Sequence, residues 1–248
     1  MELKVIAYAR NGHTDKFGIP RQSRPDSPIL TRIVFEEDYS IREAFRGIEG
    51  FSHLWLIWGF EEHSSLEREK QKTSGIHHKL PTESWSPTVR PPRLGGNKRM
   101  GVFATRSPFR PNSIGLSSVK LIKACPCPLP DGKGERWELL VSGADLLDGT
   151  PIYDIKPYLS YSDSHPDAIN GFAAETANYE LQIEEKEFAE MPENVMEDIK
   201  YILRQDPRPA YHDDCEREYK MDYSGWRVVF RVEEMKIIIV RIEHIETN

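Results

Sequence analysis

Cysteine is scarce in this sequence: its 248 residues include only Cys125, Cys127 and Cys215. So sparse and odd a set offers no disulfide framework and points to a reducing, cytoplasmic setting. Cys125 and Cys127 could form half of a soft-metal site. No Cys or His pair at finger-like spacing completes it, and His77-His78 stands far away, so no metal is expected. Long apolar runs are missing as well. The uncharged stretch Leu54 to Phe60 has seven residues, far short of the roughly 20 of a membrane helix. The first residues have no apolar core of signal-peptide length, and no membrane association is expected. Also absent are a GxGxxG turn, a P-loop lysine and a GxSxG elbow, which removes the common dinucleotide, NTPase and α/β-hydrolase readings.

The net charge of -7 argues against non-specific coating of nucleic acid, but the charge is segregated. Residues 86 to 123 contain eight basic side chains (Arg90, Arg93, Lys98, Arg99, Arg106, Arg110, Lys120, Lys123) and no acid, so all 40 acidic residues lie elsewhere. A basic face on an acidic body suits an anionic ligand such as a phosphate, a cofactor carboxylate or an RNA backbone. A solvated surface with its own salt bridges is the plainer alternative.

Short runs rich in Val, Ile, Leu and aromatics, separated by Pro, Gly and Ser, predict strands at Leu3 to Arg10, Ile29 to Phe35, His53 to Phe60, Met100 to Arg106, Leu116 to Ala124 and Arg136 to Ser142. In the fifth, Leu116, Val119 and Leu121 interleave with serines and lysines, which predicts one wet face. One short helix is predicted at Ser40 to Gly47, with Ser40 as N-cap and Glu43 as its capping-box partner. So many strands with so little helix favour an antiparallel barrel or sandwich over βαβ units. Glu61 to Trp85 reads as a long loop and residues 161–178 as a linker. Beyond it, Val195, Met196, Ile199, Ile202 and Leu203 form a helical stripe that begins at Pro192 and must stop before Pro207. Trp226 to Val232 and Met235 to Ile242 predict a hairpin around Glu233-Glu234. The expected division is residues 1–160, the linker 161–178, and a small α+β unit over 179–248.

Two segments concentrate Gly, Pro, Asn and Arg: Arg90 to Gly101 (RPPRLGGNKRMG) and Thr105 to Gly115 (TRSPFRPNSIG). Gly95-Gly96 permits exposed N–H groups, and the arginines offer forks for carboxylate or phosphate. Asp148-Gly149-Thr150-Pro151 has turn chemistry, although aspartates there could also accept hydrogen bonds from a ribose or an amine. His13, His53 and His63 read as packing or surface residues.

GVFATRSPFRPNSIGLSSVKL (Gly101 to Leu121), RPPRLGG (Arg90 to Gly96), FSHLW (Phe51 to Trp55), DGTPIYDIKPYL (Asp148 to Leu159) and QDPRPAY (Gln205 to Tyr211) together resemble the TrmO family of S-adenosylmethionine-dependent tRNA methyltransferases. The resemblance runs from about Pro20 to the end. It implies a mainly β protein: an antiparallel β-barrel that binds S-adenosylmethionine, a smaller C-terminal α+β domain, and a cytoplasmic homodimer. The implied activity is methylation of the exocyclic N6 of N6-threonylcarbamoyladenosine, next to the anticodon of tRNA. By motif, Pro20, Arg21, Gln22, Arg106, Leu116, Asp148, Gly149, Thr150 and Pro151 are implied to contact the cofactor. The family commonly has His and a polar residue after the FSHLW strand. This chain reads GFEEHSS (Gly59 to Ser65), which puts Glu61 and Glu62, or a displaced His63, in those places. Arg93, Lys98, Arg99, Phe109, Arg110, Arg208 and Tyr211 are the residues suited to tRNA by charge or stacking. Asp145, Asp148 and Asp206 are candidate bases by type. A small-molecule methyltransferase, or a non-catalytic RNA-binding protein on the same fold, is the alternative.

Overall fold

The computed structural model describes residues 2–24, 26–60, 85–91, 94, 98–129, 132, 134–173, 181–183, 191–208 and 214–245. Six strands, β1 (Ala7–Arg10), β2 (Leu30–Phe35), β3 (His53–Gly59), β6 (Ile114–Pro128), β7 (Glu135–Ser142) and β8 (Pro151–Pro157), close into a barrel in the order β1-β2-β7-β6-β3-β8. Every pairing in it is antiparallel. Closure leaves no free edge, which lets so short a strand as β1 be stable. The interior is filled by alternate residues: Ala7 and Ala9, Ile33 and Phe35, Leu54 and Leu56, Leu139 and Val141, all buried. Phe45 plugs one end, edge-on to Phe35 and stacked on Trp137, each at 4.7 Å between ring centroids.

Three sequence expectations need correction. Ser40 to Gly47 forms no capped α-helix. Its residues make short 3-10 turns, and the Ser40 hydroxyl accepts the Trp137 N–H of β7 at 2.7 Å instead of capping. Gly47, at φ 86°, then turns the chain. Met100 to Arg106 is a strand only at β5 (Met100–Gly101), paired with β4 (Thr88–Val89). Val102 leaves that ladder to be buried, and Phe103 is 75% exposed. The third concerns the phase of β6: Ser117 faces inward with 1% exposure, whereas Leu116 faces out with 54%. Leu116 and Val119 are an odd number of residues apart and cannot share a face of a regular strand.

A second core forms on the sheet β10-β11-β12-β9, built from β9 (Gln182–Ile183), β10 (Tyr219–Tyr223), β11 (Trp226–Glu233) and β12 (Lys236–His244). Helix α2 (Glu193–Arg204), which follows the single-turn α1 (Ser160–Asp163), lays Ile199, Ile202 and Leu203 on it. The hairpin turns at Glu234, φ 53°. Phe17 and Ile29, from the stretch between β1 and β2, pack into this same core. That stretch therefore ties barrel and tail together.

His13 sits at that junction, 1% exposed, edge-on to Tyr223 at 5.1 Å and bridged to it through the backbone. Its buried Nε2 has no hydrogen-bond partner among the described residues. Burial lowers its pKa from 6.5 to about 4, because a charge there would be desolvated. Below the unfolded pKa the unfolded chain binds the proton more readily, so stability is full above pH 6.5 and falls as pH drops toward 4. The loss should reach about 3 kcal/mol, and His13→Gln should remove that part of the acid dependence in urea melts. An unchanged acid slope in the variant would refute this.

Candidate active site

The segment after β1, the paired ends of β3 and β6, the loop before β6 and the turn before β8 converge on one cavity of about 810 Å³. One wall is apolar. Ile114 and Leu116 point outward from β6 with 38% and 54% exposure, beside Trp55, Trp58 and Phe60 of the β3 end. Among the described residues nothing covers these hydrophobic side chains, and an open apolar wall of this kind suits a ligand. Gly115, between them, is fixed by packing, since a Cβ there would collide with the Trp58 indole.

The opposing groups are charged. Pro20, Arg21 and Gln22 line the cavity from the segment after β1, and Arg106, Phe109 and Arg110 line it from the loop before β6. Arg106 Nη1 donates to Gln22 Oε1, and Gln22 Nε2 donates to the Arg21 carbonyl at 2.5 Å. Asp145 lies beneath them. Its Oδ1 accepts the Ser117 hydroxyl at 2.5 Å, and Ser117 in turn accepts the Trp58 indole N–H at 2.9 Å. Burial raises the Asp145 pKa above the usual carboxylate range, with the Ser117 hydroxyl and nearby Arg106 opposing the shift. A carboxylate, three guanidinium groups and an apolar wall in one cavity suit a ligand that is part aromatic and part zwitterionic.

The expected site residues divide accordingly. Pro20, Arg21, Gln22, Arg106, Leu116, Thr150 and Asp145 line the cavity, and so do Phe109 and Arg110, singled out above for RNA. Asp148, Gly149 and Pro151 do not line it. Asp148 Oδ1 accepts the Asn11 N–H at 3.0 Å, its Oδ2 pairs with Arg10 at 3.4 Å, and Gly149 turns at φ 79° to bond the Ala9 carbonyl. The segment is a turn that fastens β8 to β1. Asp206 is also outside, in a bidentate pair with Arg208. Lys98 and Arg99 are exposed on the β4–β5 ribbon, Arg99 being bonded to Thr88. Glu61, Glu62, His63, Arg93 and Tyr211 lie outside the described residues. Trp58, Phe60 and Ser117 read as core or wet face in the sequence; Trp58 and Phe60 line the cavity, and Ser117 holds Asp145. Among the described residues no cluster of His, Cys, Asp or Glu could hold a metal ion, and no helix is long and apolar enough to cross a membrane.

Residues 8–164 match the family model of the tRNA-methyltransferase O N-terminal domain, and residues 173–245 that of the TrmO C-terminal domain. The chain belongs to the TrmO family. It is 42% identical to a protein of Eikenella corrodens over 79% of this chain and 99% of that one, and 34% identical to one of Escherichia coli K12 over 98% and 97%. Both relatives are named tRNA (adenine(37)-N6)-methyltransferase. The crystal structure of TrmO from Pseudomonas aeruginosa superposes with a TM-score of 0.71 at 29% identity, covering 98% of this chain and 97% of that one. The TrmO relationship thus extends through the barrel and the tail alike.

Proposed function

We propose that the chain transfers a methyl group from S-adenosylmethionine to the exocyclic N6 of the threonylcarbamoylated adenosine next to the anticodon of tRNA. The cavity that sets Arg106 and Asp145 against exposed Leu116 and Ile114 carries this reading. The donor set fits the cofactor in kind: an apolar wall for an adenine and guanidinium groups for a carboxylate. Leu116 and Ile114 would hold the base, Arg106 and Arg21 the carboxylate, with Pro20, Gln22 and Thr150 shaping the wall. When bound, S-adenosylmethionine supplies an electrophilic methyl group, and transfer depends chiefly on alignment.

The acceptor nitrogen is a weak nucleophile because its lone pair is delocalised into the carbamoyl group. Asp145, which lines the cavity, would take its proton, and Ser117, itself held by Trp58, fixes the rotamer. Phe109, 49% exposed at the cavity mouth, offers a stacking face, while Arg110, Lys98 and Arg99 offer phosphate contacts. A homodimer and a cytoplasmic site of action belong to the same reading, carried by the family resemblance.

The test is methyl transfer from labelled S-adenosylmethionine to tRNA with and without threonylcarbamoyladenosine, followed by nucleoside mass spectrometry. Label should appear only with the modified tRNA, in the methylated nucleoside. Cofactor binding without labelling of any tRNA would overturn the substrate and favour a small-molecule acceptor.

A further inference from the structure

Helix α2 ends where Gln205 and Asp206 donate their N–H groups to the carbonyls of Ile202 and Leu203, and Asp206 then adopts φ 48°. A left-handed aspartate is held only where its surroundings fix it. Here the carboxylate grips the Arg208 guanidinium at 2.8 and 2.9 Å and also accepts the Arg208 N–H at 3.3 Å, with both side chains less than 15% exposed. The pair shapes a tight turn whose outward acceptors face the segment between β1 and β2. The Arg208 carbonyl accepts Arg21 Nη2 at 2.9 Å, and Gln205 Oε1 accepts Arg24 Nη1. From Arg21 the contacts run on through Gln22 to Arg106, whose charge acts on Asp145. Arg21 is a long, flexible cavity-lining side chain, and fixing it costs rotamer entropy that a preformed acceptor offsets in advance.

We propose that the Gln205–Arg208 turn is a positioning element for Arg21, through which the C-terminal unit sets affinity for the cofactor; the inference rests on the reading of the cavity given above. Arg208 then serves through its carbonyl, and its guanidinium is engaged in shaping the turn rather than reserved for an RNA phosphate. This assigns the C-terminal unit a part in the cofactor site despite a hydrophobic core of its own.

The test is a double-mutant cycle in the full-length chain, with S-adenosylmethionine binding measured by calorimetry and tRNA binding by fluorescence polarisation. Asp206→Asn, which tolerates the left-handed conformation, should weaken cofactor binding by about tenfold. Its effect in an Arg21→Ala background should be less than about twofold, because the interaction through which it acts is already gone. Transfer RNA affinity should hold. An equal loss in both backgrounds, or retained cofactor affinity with weakened tRNA binding, overturns the proposal. If Asp206→Asn alone fails to fold, the same cycle with Asp206→Asn/Arg208→Met removes both charges and leaves none buried unpaired. A wild-type chain that binds no cofactor would sink the reading of the cavity itself, whereas binding with an additive cycle sinks only this inference.

Discussion

Replacing Asp145 with asparagine is expected to lower kcat for methyl transfer by about 10²- to 10³-fold. Asparagine matches the carboxylate in shape and can still accept the Ser117 hydroxyl, so the pocket should keep its form while losing the proton acceptor. Of the three aspartates suited to the task by type, Asp145 alone lines the cavity; Asp148 is engaged with Asn11 and Arg10, and Asp206 with Arg208. The pH profile is a second readout. Burial raises the Asp145 pKa, so the carboxyl is protonated and unable to accept a proton at a higher pH than an ordinary aspartate. The wild-type rate should therefore fall on acidification with its inflection above the usual carboxylate range, and the variant should lose that limb. Single-turnover kinetics at saturating cofactor would measure both. A kcat within about threefold of wild type, with the acid limb intact, would exclude Asp145 as the base.

Arg106→Ala is expected to weaken S-adenosylmethionine binding by about 10- to 100-fold, the cost of a lost charge-assisted hydrogen bond in a partly enclosed site. Arg106 faces the cavity between Gln22 and Asp145, and its loss also removes the contact that orients Gln22. Lys98→Ala is the control. Exposed on the β4–β5 ribbon and absent from the cavity lining, Lys98 should leave cofactor affinity alone, weaken tRNA binding and reduce its logarithmic salt slope by about one. Calorimetry that gave Arg106→Ala a wild-type cofactor affinity would refute its assignment. If Lys98→Ala bound tRNA with an unchanged salt slope, the ribbon would not be a phosphate contact.

The strands whose burial alternates most cleanly, β2 and β3, are legible in the sequence because one face of each is buried in a single core. The stripe of α2 was legible for the same reason at a helical period. The short helix at Ser40 was misread because the capping pattern is local, whereas the Ser40 hydroxyl is taken by Trp137, 97 residues away in sequence. Strand β8 is not legible in the sequence because Asp148 to Pro151 signals a turn so strongly. The turn is real, and the strand begins at its last residue. The strand pattern groups Leu116 with Val119 and Leu121, whereas the resemblance names it a cofactor contact; its 54% exposure sets it in the cavity wall.

What the sequence determined by itself was the class of the fold, the concentration of basic charge between residues 86 and 123 and, through long ordered motifs, the family. These are properties of composition, period and order, which need no knowledge of distant partners. Which aspartate faces the cavity, that Ser117 lies inside while Leu116 lies out, and that the turn after α2 reaches Arg21 were decided only by tertiary structure. Each depends on groups far apart in the chain that barrel closure and the second core bring within hydrogen-bond range, and no local pattern encodes that proximity.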